Sequence, residues 1–249
     1  MILVDVHAHL DSSEFNNDLE EVISLSQKEG VKVILATGID PDSNKFSLEL
    51  SKKYDVIKAV LGIYPQTKKE DFCDIDKEIQ FIKKNSHNIV AIGEVGLDFK
   101  EEETDKEFQK ELFIKMINLA IELDKPIIIH SRNAESEVLK ILGSFEYDKV
   151  VLHCFMGNSK LIKLAEEKGY YFSVPPNIVR ATHFQNLVKL VNINKILTET
   201  DSPFLGPVKG ERNIPSNVIE TVKKISEIKG FEKEDVANNI FLNYQRLFF

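Results

Sequence analysis

Eight short runs of apolar, largely β-branched residues recur along the 249-residue chain with longer amphipathic stretches between them, and no other feature restricts its fold as strongly. The runs fall at residues 2–7, 31–37, 56–63, 89–94, 126–130, 150–154, 170–174 and 195–200. Strand–helix alternation sustained from one end to the other calls for a parallel sheet. No linker, low-complexity tract or charge block divides the chain, so the expected fold is a closed α/β architecture. That is a (β/α)8 TIM barrel formed as one domain over residues 1–249, a length normal for such a barrel. A barrel interior is packed solid, and its chemistry gathers where the strands end.

Helix signals fit this reading. Residues 104–123 carry Phe108, Leu112, Met116, Leu119 and Leu123 on one face, with Thr104 and Glu107 spaced as a capping box and Pro126 beyond the end. Ser216 is placed to cap a helix bearing Val218, Val222, Ile225 and Ile228 that stops at Gly230. A last helix turns Val236, Ile240, Tyr244 and Leu247 inward. The acidic run at 101–103 reads as a solvated loop.

The charge balance, 32 basic against 40 acidic residues for a net −8, excludes a general basic surface for gripping nucleic acid. It leaves room for a local site, because bound divalent cations would add positive charge where it is needed. Two cysteines, Cys73 and Cys154, point to a reducing compartment. The start, MILVDVHAHL, lacks the pattern of a secretory leader, and no apolar run reaches membrane-spanning length. A cytoplasmic protein without a membrane segment is expected.

Polar residues at the ends of those apolar runs carry the functional signal. His7 and His9 stand two apart at and just past the first strand, where period-two geometry turns both imidazoles to one face. Glu94 ends the fourth strand after an almost wholly apolar run, and a buried carboxylate needs a cationic partner. Glycines at 93 and 96 let another group come close. His130 and His153 end the fifth and sixth strands, and Asp201 follows the eighth. Each alone has a plain structural role, a satisfied core histidine or a turn-capping aspartate. Together, five strand ends surround one barrel mouth.

Four imidazoles and two carboxylates without a thiolate suit Zn2+, Mn2+, Fe2+ or Ni2+ better than a soft metal. They can hold two cations if a carboxylate bridges, and Glu94 is placed to do so. Asp201 has the further potential to take a proton from an attacking water. Glu199 has the parity of Asp201 but lies deeper in the barrel, which suggests a supporting role. Strand alternation is expected to turn the Cys154 thiol away from the face that His153 uses.

The strings DVHAHLD, GEVGLDF, PIIIHSRNA, HCFMG, TETDSPFL and RNIPSN resemble the motifs of TatD-family metal-dependent deoxyribonucleases, in order and spacing over residues 2–249. The resemblance implies an amidohydrolase-like TIM barrel with two divalent cations, Mg2+, Mn2+ or Zn2+. It places His7, His9, Glu94 and Asp201 on one and Glu94, His130 and His153 on the other, and implies cleavage of DNA phosphodiesters, often from the 3′ end. The chain departs from the family at the third strand, where Gly-Ile-His-Pro-His becomes GIYPQ, with Tyr64 and Gln66 in place of histidines. Ile214 stands where a carboxylate is usual, and Asn133 where an aspartate is usual. These departures are expected to line the mouth and to bear on substrate.

Further substrate-binding candidates are Arg132 and Arg212 for phosphate, Lys209 beside the latter, and Asn177 and Asp98 as orienting groups. Each also has a simpler role in a salt bridge or a turn. The Tyr64 ring offers a flat surface on which a base can stack without help from its hydroxyl. The expected activity is therefore hydrolysis of phosphodiesters at single-stranded or frayed DNA ends, with Asp201 and Glu94 catalytic. A small ester, lactone or amide substrate is the alternative enzyme reading. A metal-retaining scaffold or nucleic-acid-binding module is the non-enzymatic one.

Overall fold

The computed structural model describes residues 1–65, 74–101 and 103–249; Gln66 and Cys73 lie outside them. Eight strands form one parallel sheet in sequence order: β1 (Leu3–Ala8), β2 (Val31–Thr37), β3 (Ile57–Leu61), β4 (Ile89–Gly96), β5 (Ile127–His130), β6 (Val150–His153), β7 (Tyr171–Val174) and β8 (Ile196–Thr198). Every neighbouring pair from β1–β2 to β7–β8 is parallel. The last strand returns to the first through an isolated bridge between Ala8 and Ser202. There the Asp201 N–H donates to His7 O and the His9 N–H to Ser202 O, both at 2.8 Å. The expected (β/α)8 barrel is the observed fold.

Asp5 makes the same seam from inside. Its buried carboxylate accepts the Thr200 N–H at 2.8 Å, the Thr200 hydroxyl at 2.5 Å and the His7 N–H at 3.2 Å. These bonds take Thr200 out of the strand ladder, which is why β8 stops at Thr198 and not at 200. Burial pushes the Asp5 carboxyl up to about 8, against the bonds from Thr200.

The helices cover the outside of the sheet: α1 (Leu19–Lys28), α2 (Pro41–Lys53), α3 (Ile75–Lys84), α4 (Lys106–Glu122), α5 (Glu135–Leu142), α6 (Ser159–Glu167), α7 (Thr182–Leu190), α8 (Val218–Lys229) and α9 (Lys233–Phe248). Asn243 of α9 plugs the start of β8, its Nδ2 donating to Ile193 O and Ile196 O at 2.8 Å each. No helix among the described residues is long and apolar enough to cross a membrane.

Two expected caps differ. Asp105, not Thr104, accepts the Phe108 N–H at 3.0 Å at the start of α4, because the helix begins a residue later than the capping-box spacing implied. Ser216 lies in a 3-10 turn, Pro215–Asn217, ahead of α8, which starts without a side-chain cap bond. Gly230 does end α8, with φ of 70°.

At the mouth, β4 runs two residues past Glu94 because its register against β5 shifts between Ile92 and Val95. Gly96 permits this: its φ is 141°, and a Cβ there would lie 2.1 Å from His130 O. The shift carries the chain past Glu94 to Asp98, at the edge of the site.

Candidate metal centre

The six expected donors converge at the C-terminal end of the barrel, with His7, Glu94 and His153 almost wholly buried. His7 and His9, on and just after β1, bring their Nε2 atoms to 3.1 Å. Glu94 Oε2 lies 3.4 Å from each of those nitrogens, and Asp201 Oδ1 lies 3.6 and 3.4 Å from them. An ion bonded tetrahedrally at about 2.0–2.1 Å spaces its donors by about 3.3–3.4 Å, so His7, His9 and Asp201 form one candidate donor set, with Glu94 Oε2 at a matching distance from both imidazoles. The other oxygen of Glu94, Oε1, lies 2.8 Å from His130 Nδ1 and 3.8 Å from His153 Nε2, forming a second possible donor set.

Electrostatics favour positive charge at both sets. Burial would raise the carboxyls of Glu94 and Asp201, yet both are held below the usual carboxylate range, Glu94 by His7 and His130 and Asp201 by His9 and His153. Burial opposes protonation of His9 and His153, but the carboxylates win: Asp201 and Glu94 push His9 up to about 9, and Glu199 with Asp201 pushes His153 up to about 10. His7 goes the other way, lowered by burial and by its neighbour His153. Its ring stacks on that of His153 at 3.8 Å and 13°, and its buried Nδ1 has no hydrogen-bond partner. Packing therefore orients His7.

A second layer of carboxylates aims the other two histidines. Glu199 Oε2 accepts from His153 Nδ1 at 2.7 Å, which turns Nε2 towards Glu94. Asp98 Oδ2 lies 3.1 Å from His130 Nε2, which turns Nδ1 towards Glu94. Carboxylate–histidine pairs of this kind set which ring nitrogen is free to ligate. The supporting role expected of Glu199 matches its position.

Cys154 corrects the sequence expectation. Its φ of 43° breaks strand alternation just past β6, so the thiol faces inward and meets Glu199 Oε1 at 3.0 Å. Burial and Glu199 drive that thiol well above the usual range, so it stays protonated.

His9, Glu94, His130, His153 and Asp201 floor a cavity of about 800 Å3 whose wall includes Tyr64, Arg132 and Asn177, and His7 lies beneath them. Arg132 is half exposed and donates through Nε and Nη2 to Asp98 Oδ2, at 2.8 and 2.5 Å. The Tyr64 hydroxyl, expected to be idle, donates to the same oxygen at 2.8 Å and lies 3.2 Å from His130 Nε2. Asp98, read in the sequence as an orienting group or a turn former, gathers Tyr64, His130 and Arg132. Burial and the charges of Glu94 and Asp98 raise the Tyr64 phenol far beyond its ordinary range.

Arg212 is not brought to the cavity. It forms a two-pronged ion pair with Asp18, at 2.9 and 2.5 Å, and lies over the Phe15 ring, tying the loop after β8 to the one after β1. Lys209 is exposed on the same loop and away from the wall. Ile214 packs against the core and Asn133 is exposed, so of the described departures Tyr64 is the one that lines the mouth. His183 and Phe204 also line it; no short motif marks His183, and the TETDSPFL string that holds Phe204 gives no sign that its ring faces the cavity.

A family model described as TatD related DNase matches residues 4–249. An uncharacterized metal-dependent hydrolase of Methanocaldococcus jannaschii is 36% identical over 247 residues, covering 98% of this chain and 96% of that protein. Human deoxyribonuclease TATDN3 is 33% identical over 258 residues, covering 99% and 94%. The crystal structure of a TatD homologue from Escherichia coli superposes with a TM-score of 0.92 at 24% identity, covering 99% of this chain and 97% of its own, and supports the fold. The chain belongs to the TatD-related DNase family of metal-dependent hydrolases.

Proposed function

We propose that this barrel is a two-metal phosphodiesterase that removes nucleotides from single-stranded or frayed DNA ends. The division of Glu94 carries the proposal: Oε2 faces His7 and His9 while Oε1 faces His130 and His153. One carboxylate shared between two donor sets suits a pair of ions, and a pair suits in-line displacement at phosphorus, where attacking and leaving oxygens both carry charge. In this reading His7, His9, Glu94 and Asp201 hold one Mg2+, Mn2+ or Zn2+, and Glu94, His130 and His153 hold the other. Ions bound there would acidify water and neutralise charge on the phosphoryl oxygens.

The protein's own groups supply the rest. Asp201 meets the imidazoles through Oδ1, and we assign Oδ2 the proton of the attacking water. Asp98 and Glu199 fix the ring nitrogens of His130 and His153. Arg132 contacts a phosphate oxygen of the strand, with Asp98 holding its guanidinium in place. The Tyr64 ring flanks the same side, a surface for the strand.

Among the described residues Arg132 is the one lysine or arginine on the cavity wall, so DNA affinity in this reading depends on the ions and on a strand end. The human relative's name, deoxyribonuclease, supports a DNA substrate. The same scarcity of cations favours the second reading, a small ester, lactone or amide. Chelated protein reloaded with Mg2+, Mn2+ or Zn2+ and offered end-labelled single strands, duplexes, esters and lactones separates the two. Stepwise shortening of single strands is expected. Ester or lactone turnover with intact oligonucleotide would overturn the nuclease reading.

A further inference from the structure

The mouth has two unlike sides. Arg132, Tyr64 and Asp98 occupy the rim after β3, β4 and β5. The opposite rim, after β7, β8 and β1, carries Asn177, Phe204 and Asp11, which the phosphodiesterase reading leaves without a role.

Phe204 is 55% exposed on the cavity wall, although it stands three residues after Asp201 in a tightly held segment. Its N–H donates to Asp201 O at 2.8 Å, its O accepts from Asn213 Nδ2 at 2.7 Å, and the Asn213 N–H holds Pro203 O at 2.9 Å. The backbone is pinned on both sides while the ring is left in the cavity, 6.4 Å from the His9 ring. Met156, 53% exposed, adds a second apolar side chain to the wall. Large exposed apolar groups in the wall of a cavity mark a place where a ligand completes the burial.

Two acceptors accompany the ring. Asn177 is 93% buried by its 7% exposure, its N–H bonds Leu205 O beside Phe204, and its Oδ1 has no hydrogen-bond partner. Asp11, two residues after His9, has an equally unpartnered Oδ1. Buried acceptors are almost always satisfied; both oxygens are sealed from water, so a ligand that brings donors meets them once the Asn177 and Asp11 side chains turn towards the cavity they line. A flat aromatic face with N–H donors at its edge describes a nucleobase, and phosphates, which carry acceptors alone, do not meet that need.

We propose that this rim is a nucleoside subsite: the base of the terminal nucleotide stacks on Phe204 and its edge N–H groups donate to Asn177 and Asp11. The inference rests on the phosphodiesterase reading and assigns the strand end a fixed orientation, base towards β7–β8–β1 and phosphate towards Arg132. Every base has a π-face and at least one edge donor, so the subsite reads the presence of a base more than its identity.

The test uses metal-loaded protein and two single-stranded oligonucleotides, identical except that one is abasic at both terminal positions. For the intact strand, Phe204→Ala should raise KM by about 5–150-fold with kcat nearly unchanged, the range for losing one stacked base. For the abasic strand it should change nothing, and Phe204→Tyr should behave as the parent. Asn177→Leu should raise KM for the intact strand alone without lowering Tm, because it removes an acceptor that the protein does not satisfy. Equal kinetics of parent and Phe204→Ala on the intact strand, with cleavage retained, would overturn the subsite and leave the phosphodiesterase reading standing. Failure of the parent to cleave either strand would overturn both.

Discussion

Replacing Glu199 with glutamine probes how the buried carboxylates set the site. Every partner of Glu199 is a donor: Oε2 accepts from His153 Nδ1 at 2.7 Å and from the Ser173 hydroxyl, and Oε1 accepts from the Cys154 N–H at 3.1 Å and its thiol at 3.0 Å. Glutamine offers one oxygen and one NH2, so one side must fail. With the NH2 towards Cys154, a backbone N–H that cannot turn round loses its acceptor, at a cost of about 1–3 kcal/mol. With the NH2 towards His153, Nδ1 must accept and the ring proton moves to Nε2. That nitrogen lies 3.8 Å from Glu94 Oε1 and 3.9 Å from Asp201 Oδ1, and a protonated nitrogen cannot ligate.

Losing such a supporting partner costs about 10–100-fold in metal affinity, or about 1.4–2.7 kcal/mol. The two orientations are thus comparably unfavourable, and neither escapes a loss. Calorimetric titration of the chelated variant with Mn2+, alongside thermal unfolding without metal, should show weaker binding, a lower Tm, or both. A Glu199→Gln protein that matched the parent in both measurements would refute this account of the second layer.

Asp201→Asn keeps an oxygen donor but loses basicity, so turnover on a single strand should fall by about 10²–10⁴-fold while KM changes far less. Retained turnover at neutral pH would move the proton acceptor elsewhere. His9 and His153 are raised to about 9 and about 10 from 6.5, so without metal their protonation stabilises the fold below about pH 6.5, and that contribution is lost as pH rises through those values. Asp5, raised to about 8 from 3.8, acts in the same direction at lower pH. Metal-free Tm should therefore decline from pH 7 to 10. Metal uptake at pH 7 should release protons, read as a buffer-dependent calorimetric enthalpy; a buffer-independent enthalpy would contradict the assignment. Tyr64→Phe removes one donor from Asp98 and should weaken phosphate-dependent binding through Arg132; unchanged KM would return the hydroxyl to the idle role.

The barrel and the meeting of six candidate donors at its mouth are legible because both follow from strand periodicity. A parallel strand buried on both faces is a continuous apolar run, and a polar residue ending it is conspicuous. His7, Glu94, His130 and His153 each stand out this way. What was hidden depends on contacts between distant segments or on local departures from the strand. Arg212 reads as a phosphate ligand until it is seen paired with Asp18, 194 residues away in sequence. Asp98 reads equally as an orienting group or a turn former because the register shift in β4 that delivers it to His130 leaves no mark beyond a glycine. Cys154 reads as facing away from His153 because the left-handed φ that ends the alternation leaves no trace in the sequence. Phe204 is one aromatic among 16 phenylalanines, and nothing in its motif says that its ring stays uncovered.

In the proposed function Glu94 is shared between two ions. Anomalous diffraction from crystals soaked in Mn2+ tests it directly. Two peaks are expected, one bounded by His7, His9 and Asp201, the other by His130 and His153, each within bonding reach of a different Glu94 oxygen. One peak alone, or two peaks with Glu94 touching neither or only one, would contradict it.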